Sequence, residues 1–311
     1  MGGNVFAGKT SKIKLENIDP TLDAYFLELS KIFPNKSEIF NNTHFIPLGS
    51  VKKKSESGDI DLGINVLDML DPEMSDESIK LWNIDPAAVK IEFDLLTARA
   101  RTATAKHLRM KAFLKTLTLY INDNAPQLYC DEKKVSNGNV FGLFPQISSN
   151  GVKLDTGVQI DWMIGNIDWL KFSYYSSAYP IESNVKGLHR TQLMLAAFQV
   201  ANLSFNHLDG VKHKISGKVL ANTPTKALSI LGKSLNIDIT QQDTENFYVF
   251  HDLLKEKLKP HYYNALLNTY FKILDSTRAD IPENLQEDWK LRKDILGLTG
   301  KFLPESSLLK V

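Results

Sequence analysis

The chain has 311 residues, of which 43% are hydrophobic and 23% charged, and its formal net charge is +1. These values are typical of a globular protein with one large or two ordinary domains, and they exclude the strong overall positive field that draws nucleic acid from a distance. A polyanion would therefore need local basic patches, and residues 52–54, 99–115 and 212–218 are the candidates.

The single cysteine, Cys130, excludes a disulfide within the chain and is typical of a reducing compartment. No apolar run approaches the roughly 20 residues that cross a bilayer. The first residues lack the layout of a signal peptide. We therefore expect a cytoplasmic protein with no membrane partner.

The first half of the chain mixes helical and strand patterns. Apolar residues recur at helical spacing after Pro20, and the composition of the segment after Phe93, rich in Ala, Lys and Arg, favours a long helix. Residues 60–66 alternate between apolar and other residues, and after Pro126 the pattern changes to strands separated by turn residues. The predicted helices are 20–32, 74–83 and 93–122, and the predicted strands are 60–66, 128–130, 139–147 and 157–164.

From Lys186 onward the pattern is mostly helical. The predicted helices are 188–205, 223–235, 241–258, 261–275 and 284–296. The sequence thus predicts an α+β fold over residues 1–185 and a C-terminal all-helical domain over residues 186–311.

The polar candidates for chemistry begin with Asp59 and Asp61. Side chains alternate along a strand, so these two carboxylates point to the same side. Adjacent carboxylates resist joint ionisation unless a cation lies between them. A hard divalent ion such as Mg²⁺ prefers such oxygen ligands, particularly where phosphates complete its shell.

A third carboxylate, Asp161, lies inside an otherwise apolar strand. Charged residues are seldom buried unless they are paired or bind a metal. Three carboxylates on neighbouring strands would form a two-metal site. Asp155 and Asp168 are alternatives for the third position, although neither lies in the middle of a predicted strand.

A turn with basic and small residues precedes the first aspartate pair. Glycine lets a backbone approach phosphates closely, and lysine neutralises their charge. The nucleotide-binding candidates of this segment are Gly49, Ser50, Lys53, Lys54, Ser57 and Gly58.

This order of residues, Gly-Ser, a short basic loop and Ser-Gly-Asp-Ile-Asp-Leu, resembles the signature of the DNA polymerase β-like nucleotidyltransferase superfamily. That superfamily includes family X polymerases, CCA-adding enzymes and poly(A) polymerases. The sequence of residues 52–62 is particularly similar to that of nucleotidyltransferases encoded by phages. This resemblance would place the protein in the host cytoplasm. The resemblance covers residues 48–64 and 158–164 and implies a palm-like mixed sheet with flanking helices.

The resemblance also implies roles for particular residues. Asp59 and Asp61 would bind two Mg²⁺ or Mn²⁺ ions, and Asp161 would help to activate the acceptor hydroxyl. Ser50 and Lys53 would contact the β- and γ-phosphates. A second segment is similar to the family's sugar- and base-binding region before a helix, and its candidate residues are Asn184, Lys186, Gly187 and Arg190.

The expected activity is transfer of a nucleoside monophosphate from an NTP or dNTP to a hydroxyl, with a nucleic-acid 3′ end, RNA or DNA, as the favoured acceptor. Template-dependent polymerisation, modification of a protein or small molecule, and a catalytically inactive nucleic-acid-binding module remain alternatives. Residues 3–10 fit the P-loop expression, but no strand can precede them, so we do not expect a P-loop there.

Overall fold

The computed structural model describes residues 5–6, 8–101, 103–136, 138–180 and 182–300. Residues 3–10, the P-loop-like string, therefore lie partly outside the described residues. The chain forms two compact units, Met1–Lys171 and Phe172–Val311. The division lies upstream of the predicted boundary at 185/186, because Phe172 packs with the second unit: its carbonyl accepts a hydrogen bond from the Arg190 guanidinium at 2.7 Å.

The first unit combines short strands with helices. In chain order its elements are β1 (Ile13–Lys14), α1 (Leu15–Ile32), a 3₁₀ helix (Pro34–Ile39), β2 (Phe45–Pro47), β3 (Glu56–Ser57), β4 (Asp59–Asn65), α2 (Val66–Met69), α3 (Asp76–Lys80), α4 (Pro86–Arg99), α5 (Ala105–Asn124), β5 (Tyr129–Cys130), β6 (Asn139–Ile147), β7 (Lys153–Gly165) and α6 (Ile167–Ser173).

A five-stranded mixed sheet lies at the centre of the first unit, in the order β2-β4-β7-β6-β5. Strands β4 and β7 are parallel, and the other neighbours are antiparallel. β1 and β3 form a separate antiparallel pair. The prediction of an α+β fold with a mixed sheet and flanking helices is thus confirmed.

One face of the sheet carries the hydrophobic core. Alternate residues of β4 and β7, such as Ile60, Leu62 and Trp162, are almost fully buried, because side chains alternate along a strand and these point to the core. The Trp162 indole donates a hydrogen bond to the Tyr25 hydroxyl of α1 at 2.7 Å. Helices α1 and α5 contribute Leu29, Phe113, Leu117 and Ile121 to the same cluster.

Helix α1 begins earlier than predicted, at Leu15, and contains Pro20. A proline inside a helix removes one backbone hydrogen bond, but tertiary contacts hold the first turns in place. Asn17 accepts a hydrogen bond from the backbone of Ser149 at 3.0 Å, and Thr21 exchanges hydrogen bonds with the backbone of Ile147.

The single long helix predicted over 93–122 is wrong. Two helices, α4 and α5, cover this stretch, and α4 ends at Arg99. The Thr104 hydroxyl accepts a hydrogen bond from the backbone N–H of His107 at 3.3 Å and so caps a new helix. Threonine is a favoured N-cap because its side chain satisfies an N–H that lacks a helical partner.

The second unit contains a larger set of helices and one small sheet. Its further elements are α7 (Gly187–Val200), β8 (Leu203–Asn206), β9 (Gly210–His213), β10 (Val219–Ala221), α8 (Pro224–Leu235), a 3₁₀ helix (Gln242–Thr244), α9 (Phe247–Lys257), α10 (Pro260–Thr277), a 3₁₀ helix (Glu283–Leu285) and α11 (Gln286–Arg292).

The prediction of an all-helical C-terminal domain is wrong because β8, β9 and β10 form an antiparallel sheet there. Helix α7 ends at Val200, and Asn202 adopts the left-handed conformation with φ of 60°. Asn206 then accepts hydrogen bonds from Leu208 and Asp209 and forms the hairpin turn. Among the residues described, no helix is both long and apolar enough to cross a membrane.

Candidate metal centre

Three carboxylates meet at the junction of the two parallel strands. The register pairs Asp61 of β4 with Asp161 of β7, and Asp59 with Gln159. Because side chains alternate along each strand, all three aspartates project from the face opposite the core. Their nearest ligand oxygens lie within 4.8 Å of one another, a separation that a single divalent cation can bridge.

The alternatives for the third carboxylate do not join this cluster. Asp155 is exposed near the start of β7, and Asp168 is exposed on α6. The group of three acidic residues that the described part of the chain brings together contains Asp161 instead.

The electrostatics of the cluster resist full ionisation. The pKa of Asp161 is raised to about 8, first by burial and then by the charge of Asp61, while a hydrogen bond from Gln159 opposes the shift. The pKa of Asp61 is raised to about 7, first by burial and then by the charge of Asp59. At neutral pH Asp61 and Asp161 therefore favour either bound protons or a bound cation.

The two oxygens of Asp161 differ in their surroundings. Oδ2 accepts a hydrogen bond from Gln159 Nε2 at 2.7 Å. Oδ1 is buried and has no hydrogen-bond partner within the described ranges. A buried carboxylate oxygen without a partner is costly, and a hard cation with oxygen ligands would satisfy it. The residues present thus fit Mg²⁺ or Mn²⁺.

The Gly-Ser turn lies beside the same strand. The backbone N–H of Leu48 donates to the carbonyl of Asp61 at 2.9 Å, which continues the β2–β4 pairing toward the turn. Gly49 then adopts φ of 61°, the left-handed region that glycine enters without steric cost. The backbone turns at once, since the Val51 N–H donates to the Leu48 carbonyl at 3.3 Å and the Lys53 N–H to the Ser50 carbonyl at 3.0 Å.

The remaining residues of the loop vary in exposure. Lys53 is exposed and Lys54 is half-buried, while Lys52 forms an ion pair with Asp19. Ser57 is buried, and its hydroxyl lacks a hydrogen-bond partner among the residues that the structure describes. Half-buried Gly58 links Ser57 directly to Asp59. Contacts of these residues with a nucleotide stay predictions.

The downstream candidates belong to the second unit, where their contacts are structural. Asn184 bonds the Ile281 carbonyl at 2.6 Å and the Glu283 N–H at 3.0 Å. A Cβ on Gly187 would lie 2.5 Å from the Ser176 hydroxyl, so this glycine permits close packing.

Arg190 is fully buried, and Lys186 is exposed. The Arg190 guanidinium donates to the Thr244 and Phe172 carbonyls, each at 2.7 Å. Burial lowers its pKa to about 10. Lys186 pairs with Asp280 at 3.4 Å. These contacts hold the second unit together, and a role of Arg190 or Lys186 in nucleotide binding stays a prediction.

The sequence interpretation missed Gln159, which bonds directly to Asp161. Gln159 is buried and lies two residues before Asp161 on the same face of β7. The sequence did indicate this contact, because Gln159 is an amide side chain among apolar residues of a strand, and such groups are seldom buried without a hydrogen-bond partner.

A cavity of about 750 Å³ in the first unit does not include the three carboxylates. Residues of α3, α4 and the start of α5 line it. Its acidic side chains balance its basic ones, as in the pairs of Lys90 with Asp94 at 2.9 Å and Arg109 with Asp76 at 3.9 Å. A balanced lining has no preference for polyphosphate, so the chemistry points to the carboxylates rather than to this cavity.

The chain matches no family model, and no curated protein matches it. A functional assignment therefore depends on the motif of residues 48–64 and on the geometry of the carboxylates.

Proposed function

We propose that the protein is a metal-dependent nucleotidyltransferase that moves a nucleoside monophosphate from an NTP or dNTP to a hydroxyl acceptor and releases pyrophosphate. The observation that carries the proposal is the convergence of Asp59, Asp61 and Asp161 within 4.8 Å on two parallel strands.

In this proposal Asp59, Asp61 and Asp161 hold two Mg²⁺ or Mn²⁺ ions. Divalent ions at such a site lower the pKa of an attacking hydroxyl and neutralise the leaving pyrophosphate. Asp161 orients the acceptor side of the centre, since its Oδ2 is fixed by Gln159 while its Oδ1 is left without a partner among the described residues. Catalysis then depends on positioning and charge neutralisation, as in phosphoryl transfer generally.

The turn at Gly49 and Ser50 would hold the triphosphate. Its backbone N–H groups and the Ser50 hydroxyl are donors of the kind that bind phosphate oxygens. The half-buried Lys54 and the exposed Lys53 follow in the same loop and would neutralise the β- and γ-phosphates. The position of the turn beside Asp59 and Asp61 supports this arrangement.

For the acceptor we propose the 3′ end of a nucleic acid. Arg99, Arg101 and Lys106, at the break between α4 and α5, are exposed and available to its phosphates. In the 212–218 segment Lys212 is paired with Asp209 at 2.6 Å, and Lys214 and Lys218 are exposed. With three exposed cations against two, we favour the 99–115 segment for the acceptor backbone.

The test is incubation of the protein with each NTP and dNTP, Mg²⁺ or Mn²⁺, and a panel of acceptors: tRNA, single-stranded RNA, primer-template DNA and gapped DNA. We expect pyrophosphate release and acceptor extension that require the metal and disappear in Asp61→Asn. Thermal unfolding with Mg²⁺ and nucleotide runs in parallel, because a ligand at 100 times its Kd stabilises by about 2.7 kcal/mol. Absence of both transfer and metal-dependent stabilisation would refute the proposal, whereas stabilisation without transfer would favour a binding module.

A further inference from the structure

A stretch near the N-terminus, residues 5–6 and 8–12, lies against β7, and we name it the N-terminal segment. The Ser11 N–H donates to the Gly157 carbonyl at 3.0 Å, and Thr10 forms a parallel bridge with Gly157. Gln146 Nε2 donates to the Ser11 carbonyl at 3.1 Å and to the Ser11 hydroxyl at 2.9 Å. The segment is therefore fixed to the strand that carries Asp161.

Gly157 shows on which face of the sheet the N-terminal segment lies. A Cβ at this position would be 3.0 Å from the backbone carbonyl oxygen of Lys9. Gly157, Gln159 and Asp161 alternate along β7 and share one face. The backbone of the segment thus passes over the face that bears the carboxylates, and glycine at 157 makes this close approach possible.

A chain of two hydrogen bonds joins this segment to the metal centre. The backbone N–H of Val5 donates to Gln159 Oε1 at 3.0 Å, and Gln159 Nε2 donates to Asp161 Oδ2 at 2.7 Å. A backbone N–H can only donate, so the amide oxygen of Gln159 must face Val5 and its NH₂ group must face Asp161. Each end of the Gln159 amide therefore has one chemically allowed role, and its orientation is fixed.

We propose that Gln159 is a positioning residue of the metal centre, and that the N-terminal segment controls the affinity of this centre for divalent cations through the Val5 N–H. The proposal rests on the proposed function, since it requires that the carboxylates bind metal. Gln159 holds one oxygen of Asp161 and leaves the other for a cation. Groups that orient metal ligands in this way affect metal affinity strongly.

The experiment measures Mn²⁺ affinity of the full chain by calorimetry and by electron paramagnetic resonance, without nucleotide or acceptor. Gln159→Leu removes the amide, and we expect Mn²⁺ to bind about tenfold more weakly. Val5→Pro removes the backbone donor and also restricts the local backbone, and we expect about threefold weaker binding or more, the effect of at least one ordinary hydrogen bond. Val5→Ala keeps the N–H and is the matched control, with Mn²⁺ affinity equal to that of the wild type.

Thermal unfolding of each variant shows whether it is folded. If Gln159→Leu does not fold, Val5→Pro against Val5→Ala decides the question alone. Unchanged Mn²⁺ affinity in folded Gln159→Leu or in Val5→Pro overturns this inference and leaves the proposed function intact. A wild-type chain that binds no Mn²⁺, although folded, overturns both.

Discussion

Asp61 and Asp161 face each other across two paired strands, and the pKa of each is raised by burial and by a neighbouring carboxylate. Such an arrangement destabilises the protein unless protons or cations neutralise it. Sites that retain unfavourable charge for function commonly become more stable when the charge is removed.

We therefore expect Asp161→Asn to raise the melting temperature of the metal-free protein by a few degrees and to lower nucleotidyl transfer by about a hundredfold or more. The asparagine carbonyl can still accept the hydrogen bond from Gln159, and an NH₂ group replaces the unpartnered oxygen, so the negative charge is removed with little change of shape. Differential scanning fluorimetry in a chelator and a transfer assay check the two effects. Asp155→Asn, on an exposed residue of the same strand, is the control and should alter neither; a variant Asp161→Asn with wild-type turnover would contradict the role of this carboxylate.

Gly49 provides a second prediction at a single residue. Its φ of 61° lies where a side chain is strained, so Gly49→Ala should lower the free energy of unfolding by about 1 kcal/mol and weaken nucleotide binding by displacing the turn. Gly151→Ala is the matched control, because φ there is 79° and no atom lies within 4 Å of a Cβ. Urea unfolding should show similar losses for both variants, and nucleotide titration a loss of affinity for Gly49→Ala alone. If Gly49→Ala and Gly151→Ala bind nucleotide with equal affinity, the turn does not contact the phosphates.

Strand β7 is the element that connects core and site, since Trp162 enters the core next to Asp161. The Trp162 N–H donates to the Tyr25 hydroxyl. Tyr25→Phe would leave this buried N–H without an acceptor, and we expect a loss of about 1–3 kcal/mol in the free energy of unfolding. Tyr262→Phe, in a partly exposed tyrosine, should cost no more than about 0.5 kcal/mol. Chemical denaturation measures both, and equal values would mean that the buried hydrogen bond contributes nothing to stability.

The strands that carry the aspartates were predictable because alternation is a local property. Ile60, Leu62 and Ile64 define one face of β4, and Asp59 and Asp61 lie on the other. The break between α4 and α5 was not predictable from composition, because residues 93–122 are of types that favour helices throughout. The N-cap at Thr104 marks where α5 begins.

The β8–β10 sheet was missed for a related reason. Apolar residues continue from α7 into β8, and the change of period depends on the left-handed Asn202 and the Asn206 turn. The contact of Gln159 with Asp161 was signalled by an amide in an apolar strand, whereas its contact with Val5 was not, because Val5 is distant in sequence. Contacts of this kind become visible only once the chain is folded.

At the scale of the whole molecule, opposing groups set how stability depends on pH. Burial lowers the pKa of His207 to about 4. Below about pH 6.5 this histidine therefore binds fewer protons in the folded state than in the unfolded state, and its contribution to stability rises with pH. Asp61 and Asp161 have raised pKa values of about 7 and 8, so the folded state binds more protons than the unfolded state and stability falls as pH rises.

We therefore expect the metal-free protein to lose stability between about pH 6.5 and 8, where the unfolded histidine has already lost its proton and the carboxylates still hold theirs. Saturating Mg²⁺ should flatten this decline, because the cation replaces the protons. Melting temperatures across this range, in a chelator and in Mg²⁺, measure the effect, with Asp161→Asn as the comparison. A metal-free profile that rises through this window would show that the two aspartates are ionised without a cation.

The alternation of aspartate and aliphatic residues in β4 also determines which strand register is stable when the protein folds. A shift of the strand register by one residue would bury the carboxylates in the hydrophobic core and expose Ile60 and Leu62 to water. Such a molecule would be too unstable to accumulate. Molecules that reach the native state should therefore have the three aspartates in the correct register. A purified preparation should contain few folded molecules in which this register is wrong.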